Sequence, residues 1–162
     1  MAKVGRAAYA HSKERIQLLD SAQTLVKADS GETLVLNSAT GFTTTLPAAQ
    51  KGLYFRILIA VESTDGNLKV ATQSGEYFYG GVRVISVNSG DNTSTQDVPK
   101  APAAADPGSY DHLRFDADLA NQGGMAGDII ELHCGANGSW LVTALLGNKD
   151  GNPTGINVIG AS

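Results

Sequence analysis

Leu53-Tyr54-Phe55-Arg56-Ile57-Leu58-Ile59-Ala60-Val61 is the stretch that decides the fold class of this 162-residue chain. Successive side chains of a strand point to opposite sides, so Leu53, Phe55, Ile57, Ile59 and Val61 share one face. Tyr54, Arg56, Leu58 and Ala60 take the other. Both faces are largely apolar, which predicts a strand at the centre of a sheet rather than at its margin.

Working outward, the same period of two recurs between turn residues. Downstream, Asp65-Gly66-Asn67 marks a turn into Leu68-Lys69-Val70-Ala71, and Gly80-Gly81 separates Tyr77-Phe78-Tyr79 from a strand over Val82 to Val87. Asp128 to Cys134 and Ser139 to Leu146 flank Gly135-Ala136-Asn137-Gly138, which predicts a hairpin with Ile130, Leu132 and Cys134 on one face and Trp140 as a core anchor. Upstream, Thr33 to Asn37 and Phe42 to Leu46 surround the turn Ser38-Ala39-Thr40-Gly41, with Pro47 ending the second strand, and read as another hairpin. No period of 20 to 50 residues repeats, which argues against a solenoid or propeller. The class is all-β.

Composition agrees with one domain. Hydrophobic residues make up 42% and charged residues 17%, and 19 glycines against 5 prolines suit short strands joined by tight turns. No apolar run approaches the ~18 residues of a membrane span, and the N-terminus has no secretory pattern, so synthesis in a cytosol is expected. Cys134 is the lone cysteine and has no disulfide partner within the chain.

Three segments stand apart from the strand pattern. Residues 1–20 lack a sustained apolar period and read as an extended N-terminal arm, with one or two helical turns over Ser12 to Leu19 as the alternative. Up to Arg15 the arm carries Lys3, Arg6, Lys13 and Arg15 against Glu14, a balance of +3 that leaves eight basic against fifteen acidic residues, −7, for the rest. A basic arm preceding an acidic body suits an acidic partner surface or a contact with nucleic acid, and a solvated terminus fits the charge equally well. Within the body, residues 21–147, Asn88 to Ser109 form a long excursion rich in Ser, Thr, Asp, Pro and Ala, either an interaction loop or a disordered one. The tail over 148–162 offers Ile156, Val158 and Ile159 for docking onto a sheet or a neighbouring subunit.

Chemistry is sparse. A nucleophile needs a base within hydrogen-bonding reach, yet His133 and Cys134 are neighbours in one predicted strand and therefore point to opposite faces. Cys134 reads as a buried structural thiol. Asp111, His112, Asp116 and Asp118 form the densest ionisable cluster, and in a strand Asp116 and Asp118 would share a face able to offer oxygen ligands to calcium. Without a glycine-bearing ligand loop, a solvated polar face is preferred and no metal is expected. Gly123-Gly124-Met125-Ala126-Gly127 lacks the Lys and Ser or Thr of a phosphate loop and reads as a turn. The glycosylation triplets at Asn92 and Asn137 read as chance in a chain without a secretory leader. The acidic body, without interleaved basic and aromatic residues, argues against direct nucleic-acid binding, and Tyr54 beside Arg56 reads instead as a solvent-facing or partner-facing position. No enzyme, cofactor or membrane role is expected.

The order of signals carries a resemblance. Gly31-Glu32-Thr33-Leu34-Val35-Leu36, the Thr-rich strand ending in Leu46-Pro47-Ala48-Ala49, and Gly52 before the long apolar strand come first. Gly80-Gly81, Gly127-Asp128-Ile129-Ile130-Glu131-Leu132 and Gly138-Ser139-Trp140-Leu141-Val142 follow. Together, over about Thr24 to Leu146, they resemble the β-module of tailed-bacteriophage virion proteins, especially capsid decoration (cement) proteins. That resemblance implies a β-sandwich or jelly-roll-like body, a homotrimer, and a place on the outer capsid surface where it stabilises contacts between capsomers. The implied partner is the major capsid protein, gripped by the arm through Lys3, Arg6, Tyr9, Lys13 and Arg15. The module also resembles segments of tail fibres, and the alternative is a tail-fibre or host-adhesion module that binds carbohydrate through Tyr77, Tyr79 or Tyr110.

Overall fold

The computed structural model describes residues 15–64, 68–86, 110–118, 122–136, 138–148 and 158–160. The described chain is built of strands: β1 Arg15–Leu19, β2 Gln23–Thr24, β3 Glu32–Leu36, β4 Thr43–Thr45, β5 Tyr54–Ile59, β6 Leu68–Ala71, β7 Tyr77–Ser86, β8 His112–Phe115, β9 Ile129–Ala136, β10 Ser139–Asn148 and β11 Ile159–Gly160. They form two mixed sheets, ordered β1-β3-β5-β9-β10-β7 and β11-β8-β6-β4-β2. Both contribute to one buried cluster, in which Leu34, Ile57, Leu132 and Val142 from the larger sheet join Leu68, Val70, Leu113 and Phe115 from the smaller.

Alternation explains the central strand. Phe55, Ile57 and Ile59 are fully buried, and β5 lies between β3 and β9, as its two apolar faces predict. The β9–β10 hairpin forms, buries Ile130, Leu132 and Cys134 on one face, and places Trp140 with its ring 5.8 Å from Phe55. In the tail, Val158 is buried and Ile159 pairs with Leu113, so this segment docks onto the smaller sheet. Ile156 lies outside the described residues, as does the excursion Asn88 to Ser109.

The first half of the chain departs from expectation. Thr33 to Asn37 and Phe42 to Leu46 do not form a hairpin: β3 belongs to the larger sheet and β4 to the smaller. The chain winds from one sheet to the other through β1, β2, β3, β4, β5 and β6, so that β1, β3 and β5 pair parallel, as do β2, β4 and β6. Turn residues announce a change of direction but do not say whether the next strand rejoins the same sheet. Both segments bury alternate residues, Leu34 and Leu36 on one and Thr44 and Leu46 on the other, so crossing the core satisfies the pattern as well as a hairpin would. Arg15 lies beside Glu32 and Thr33 beside Arg56, so one winding advances 17 residues and the next 23. Unequal windings leave no fixed period in the sequence. The antiparallel pairs of β5 with β9, β6 with β8 and β8 with β11 end the parallel winding.

Two smaller expectations are corrected. Arg15–Leu19 is neither helical nor a free arm; it is the edge strand β1, because Leu19 reaches the core while Ile16 and Leu18 face out. Gly80-Gly81 is not a break: β7 runs through both, parallel to β10. Gly80 sits at φ 129°, and a Cβ there would run into the carbonyl oxygen of Val142, so this glycine serves a close approach of two strands.

Candidate functional site

Cross-strand register sets which side chains meet on the solvent face of the larger sheet. Leu18 lies beside Val35, Val35 beside Leu58, Leu58 beside Ile129, and Ile129 beside Leu145. Five strands thus present one continuous apolar row, which ends at Arg83 on β7. Leu18 is 59% exposed, Ile129 44% and Leu145 55%, whereas Val35 and Leu58 are half-buried between them. A parallel row holds Ile16, Thr33, Arg56, Glu131, Thr143 and Gly81 in register. Its Arg56–Glu131 pair spans 3.5 Å on half-exposed side chains and contributes little stability. Where Gly81 omits a side chain, a shallow groove opens between Arg83, Glu131 and Leu145.

A third row is aromatic. Tyr54 stacks at a tilt on His133, with ring centroids 4.6 Å apart, and His133, Leu141 and Tyr79 follow in register. Tyr77 extends the row, its ring 6.4 Å from that of Tyr79. Tyr110 packs instead against the core cluster.

Among the described residues no group of three His, Cys, Asp or Glu side chains comes together as a metal site. β8 stops at Phe115, so Asp116 and Asp118 do not share a strand face; the Asp116 carboxylate accepts the Asp118 N–H at 3.0 Å in a turn. Asp111 Oδ1 lies 2.6 Å from His112 Nδ1, a pair of chain neighbours. Cys134 is 3% exposed, its thiol reaches the Ala136 carbonyl, and burial pushes it above the ordinary thiol range. Its neighbour His133 faces solvent on the opposite side, as alternation predicts. The glycine segment 123–127 is a turn organised by Asp128, whose carboxylate accepts the N–H groups of Gly124, Met125 and Gly147 at 2.9, 3.0 and 2.8 Å. Burial pushes this carboxyl up to about 6 against the pull of its three donors.

Family models, curated proteins and solved structures were compared, and none matches the chain.

Of the residues expected to grip a capsid, Lys3, Arg6, Tyr9 and Lys13 lie outside the described residues. Arg15 opens β1, forms an ion pair with Glu32 and also donates to the Ala28 carbonyl at 3.4 Å. Sequence reading missed Leu18, Val35, Leu58, Ile129 and Leu145 as a surface. Each looks like a core residue in its own strand, and only the register that aligns five strands reveals the row.

Proposed function

We propose that this chain is a structural virion protein, a capsid decoration protein that binds the outer capsid surface and stabilises contacts between capsomers. The observation that carries the reading is the apolar row from Leu18 to Leu145 on a solvent-facing sheet. Contiguous exposed apolar residues rimmed by polar ones are the mark of an interaction surface. Here Arg56, Glu131 and Arg83 supply the rim. The basic segment up to Lys13 precedes β1 in the sequence, and β1 carries Leu18, one end of the row. The turn-and-strand resemblance supplies the virion context, and the two sheets around a shared core support a β-sandwich body. The major capsid protein is the partner in this reading, and an acidic strip beside an apolar patch is the surface that would complement it.

Decoration of purified shells that lack this protein tests the proposal. Leu145→Lys and Ile129→Lys, both at exposed positions, should fold normally and lose occupancy on the shells as seen by electron microscopy. Removal of residues 1–14 keeps β1 and the Arg15–Glu32 pair, and should weaken decoration without unfolding the body. Full occupancy by all three variants, or density on the tail instead of the shell, would overturn the reading.

The tail-fibre or host-adhesion alternative draws its support from the aromatic row of Tyr54, His133, Tyr79 and Tyr77, since aromatic faces stack on sugar rings. Loss of glycan binding in Tyr79→Ala, with shell occupancy unchanged, would favour it.

A further inference from the structure

We infer that the groove at Gly81 is the anchoring pocket of the docking face: an apolar side chain of the shell subunit fills it while a neighbouring carboxylate of that subunit pairs with Arg83. The inference rests on the shell-binding reading above and adds to it the chemistry of the partner's contact point.

One missing side chain makes the groove. In the row Ile16, Thr33, Arg56, Glu131, Thr143, Gly81, every position but the last carries a side chain. The space left at Gly81 measures about 430 Å³ and is bounded by Arg83, Ile129, Glu131, Thr143 and Leu145. Gly80 beside it is dictated by the Val142 backbone. Gly81 is not: its φ lies outside the left-handed region, and a Cβ there meets no atom within 4 Å. The first glycine serves the fold, and the second leaves a gap that faces outward.

The walls decide what fits. Ile129 is 44% exposed and Leu145 55%, and both present aliphatic surface to the groove. No aromatic ring lines it; those of Tyr54, His133, Tyr79 and Tyr77 belong to the other row, so a sugar finds its stacking surface elsewhere. An apolar side chain from a protein surface buries area against Ile129 and Leu145 together, which is how an interface anchor draws its energy.

Charge adds a second constraint. Arg83 is exposed and forms no ion pair among the described residues, whereas Glu131 across the groove is held by Arg56. An unpaired guanidinium at the mouth of an apolar groove, on a body with eight basic against fifteen acidic residues, calls for a carboxylate from outside. Register sets the spacing: Arg83 lies beside Leu145 and Gly81 beside Thr143, two residues apart on one strand, roughly 7 Å. An extended segment of the partner that carries an acidic and an apolar residue at alternate positions places both on one face at that distance.

Binding of the full chain to purified shells, read by co-sedimentation and electron microscopy, tests the pocket. Gly81→Val fills the groove with a residue that suits a strand; it should keep the circular dichroism spectrum and bind shells at least about tenfold more weakly. Arg83→Gln, at an exposed side chain, keeps the test readable if the valine disturbs the sheet. It should weaken binding about three- to tenfold and flatten its dependence on salt, and Arg83→Glu should weaken it further. Leu18→Lys, at the far end of the same face on β1, reads the face as a whole. Shell binding lost in Leu18→Lys but kept in Gly81→Val and Arg83→Gln overturns the pocket and leaves the shell-binding reading standing. Wild-type protein that binds no shells overturns both. A Gly81→Val chain that binds shells normally but loses glycan binding, or sediments as a smaller assembly than the wild type, gives the groove to a sugar or to a second copy and overturns the inference.

Discussion

At the scale of single residues, adjacent positions with similar composition carry opposite burdens. Gly80 and Gly81 look identical in the sequence, yet a Cβ on Gly80 meets the Val142 backbone while one on Gly81 meets nothing within 4 Å. Gly80→Ala should therefore cost about 3 kcal/mol or more in urea unfolding, through strain at positive φ and overpacking, and Gly81→Ala should stay within about 0.5 kcal/mol. Asp128 is the other decisive residue. Because burial raises its folded pKa to about 6 from 3.8, the folded state holds the proton more tightly than the unfolded chain does. Its contribution to stability is present below about pH 4 and is lost as pH rises through 6. Unfolding free energies of the wild type should carry this decline, and the difference between wild type and Asp128→Asn across that window isolates it. Asp128→Ala strands three N–H donors and should cost about 2–4 kcal/mol at any pH.

At the scale of elements, β5 and β9 show how alternation divides one strand into core and surface. Ile57 is fully buried while Ile129, one strand away on the opposite face, is 44% exposed. Ile57→Ala should destabilise by about 2–5 kcal/mol and Ile129→Ala by less than about 1 kcal/mol, measured by the same denaturant titration. The β5 pattern was readable because the stretch Leu53 to Val61 around it keeps both faces largely apolar. β1 was not: five residues are too few to establish a period, its core face carries Arg15 and Gln17 beside Leu19, and its apolar Ile16 and Leu18 face solvent. The β3 to β4 turn was recognisable as a turn, but local chemistry there is compatible with a hairpin or with a crossing of the core.

At the scale of the whole molecule, the winding of β1 to β6 makes most pairings non-local, with partners 17 and 23 residues apart in successive turns. Loop closure must precede those contacts, so folding should be slow for a chain of this size, on the order of milliseconds to seconds in stopped-flow refolding. Hydrogen exchange should be slowest in β5, β9 and β10, which have neighbours on both sides, and fastest in the edge strands β1 and β2. Equal protection of β1 and β5 at concentrations where the chain is monomeric would contradict this order.

What the sequence determined alone was the all-β class, the central place of β5, the β9–β10 hairpin, the burial of Cys134 and Trp140, and the separation of His133 from Cys134. Each follows from the two-residue period of an extended chain, a property of neighbouring residues. Tertiary structure alone decided which strands share a sheet, the parallel direction of the first six, the demand on Gly80, the bonds to Asp128, and the apolar row from Leu18 to Leu145. Those depend on register between segments far apart in the chain, and register is fixed only when the whole core packs at once.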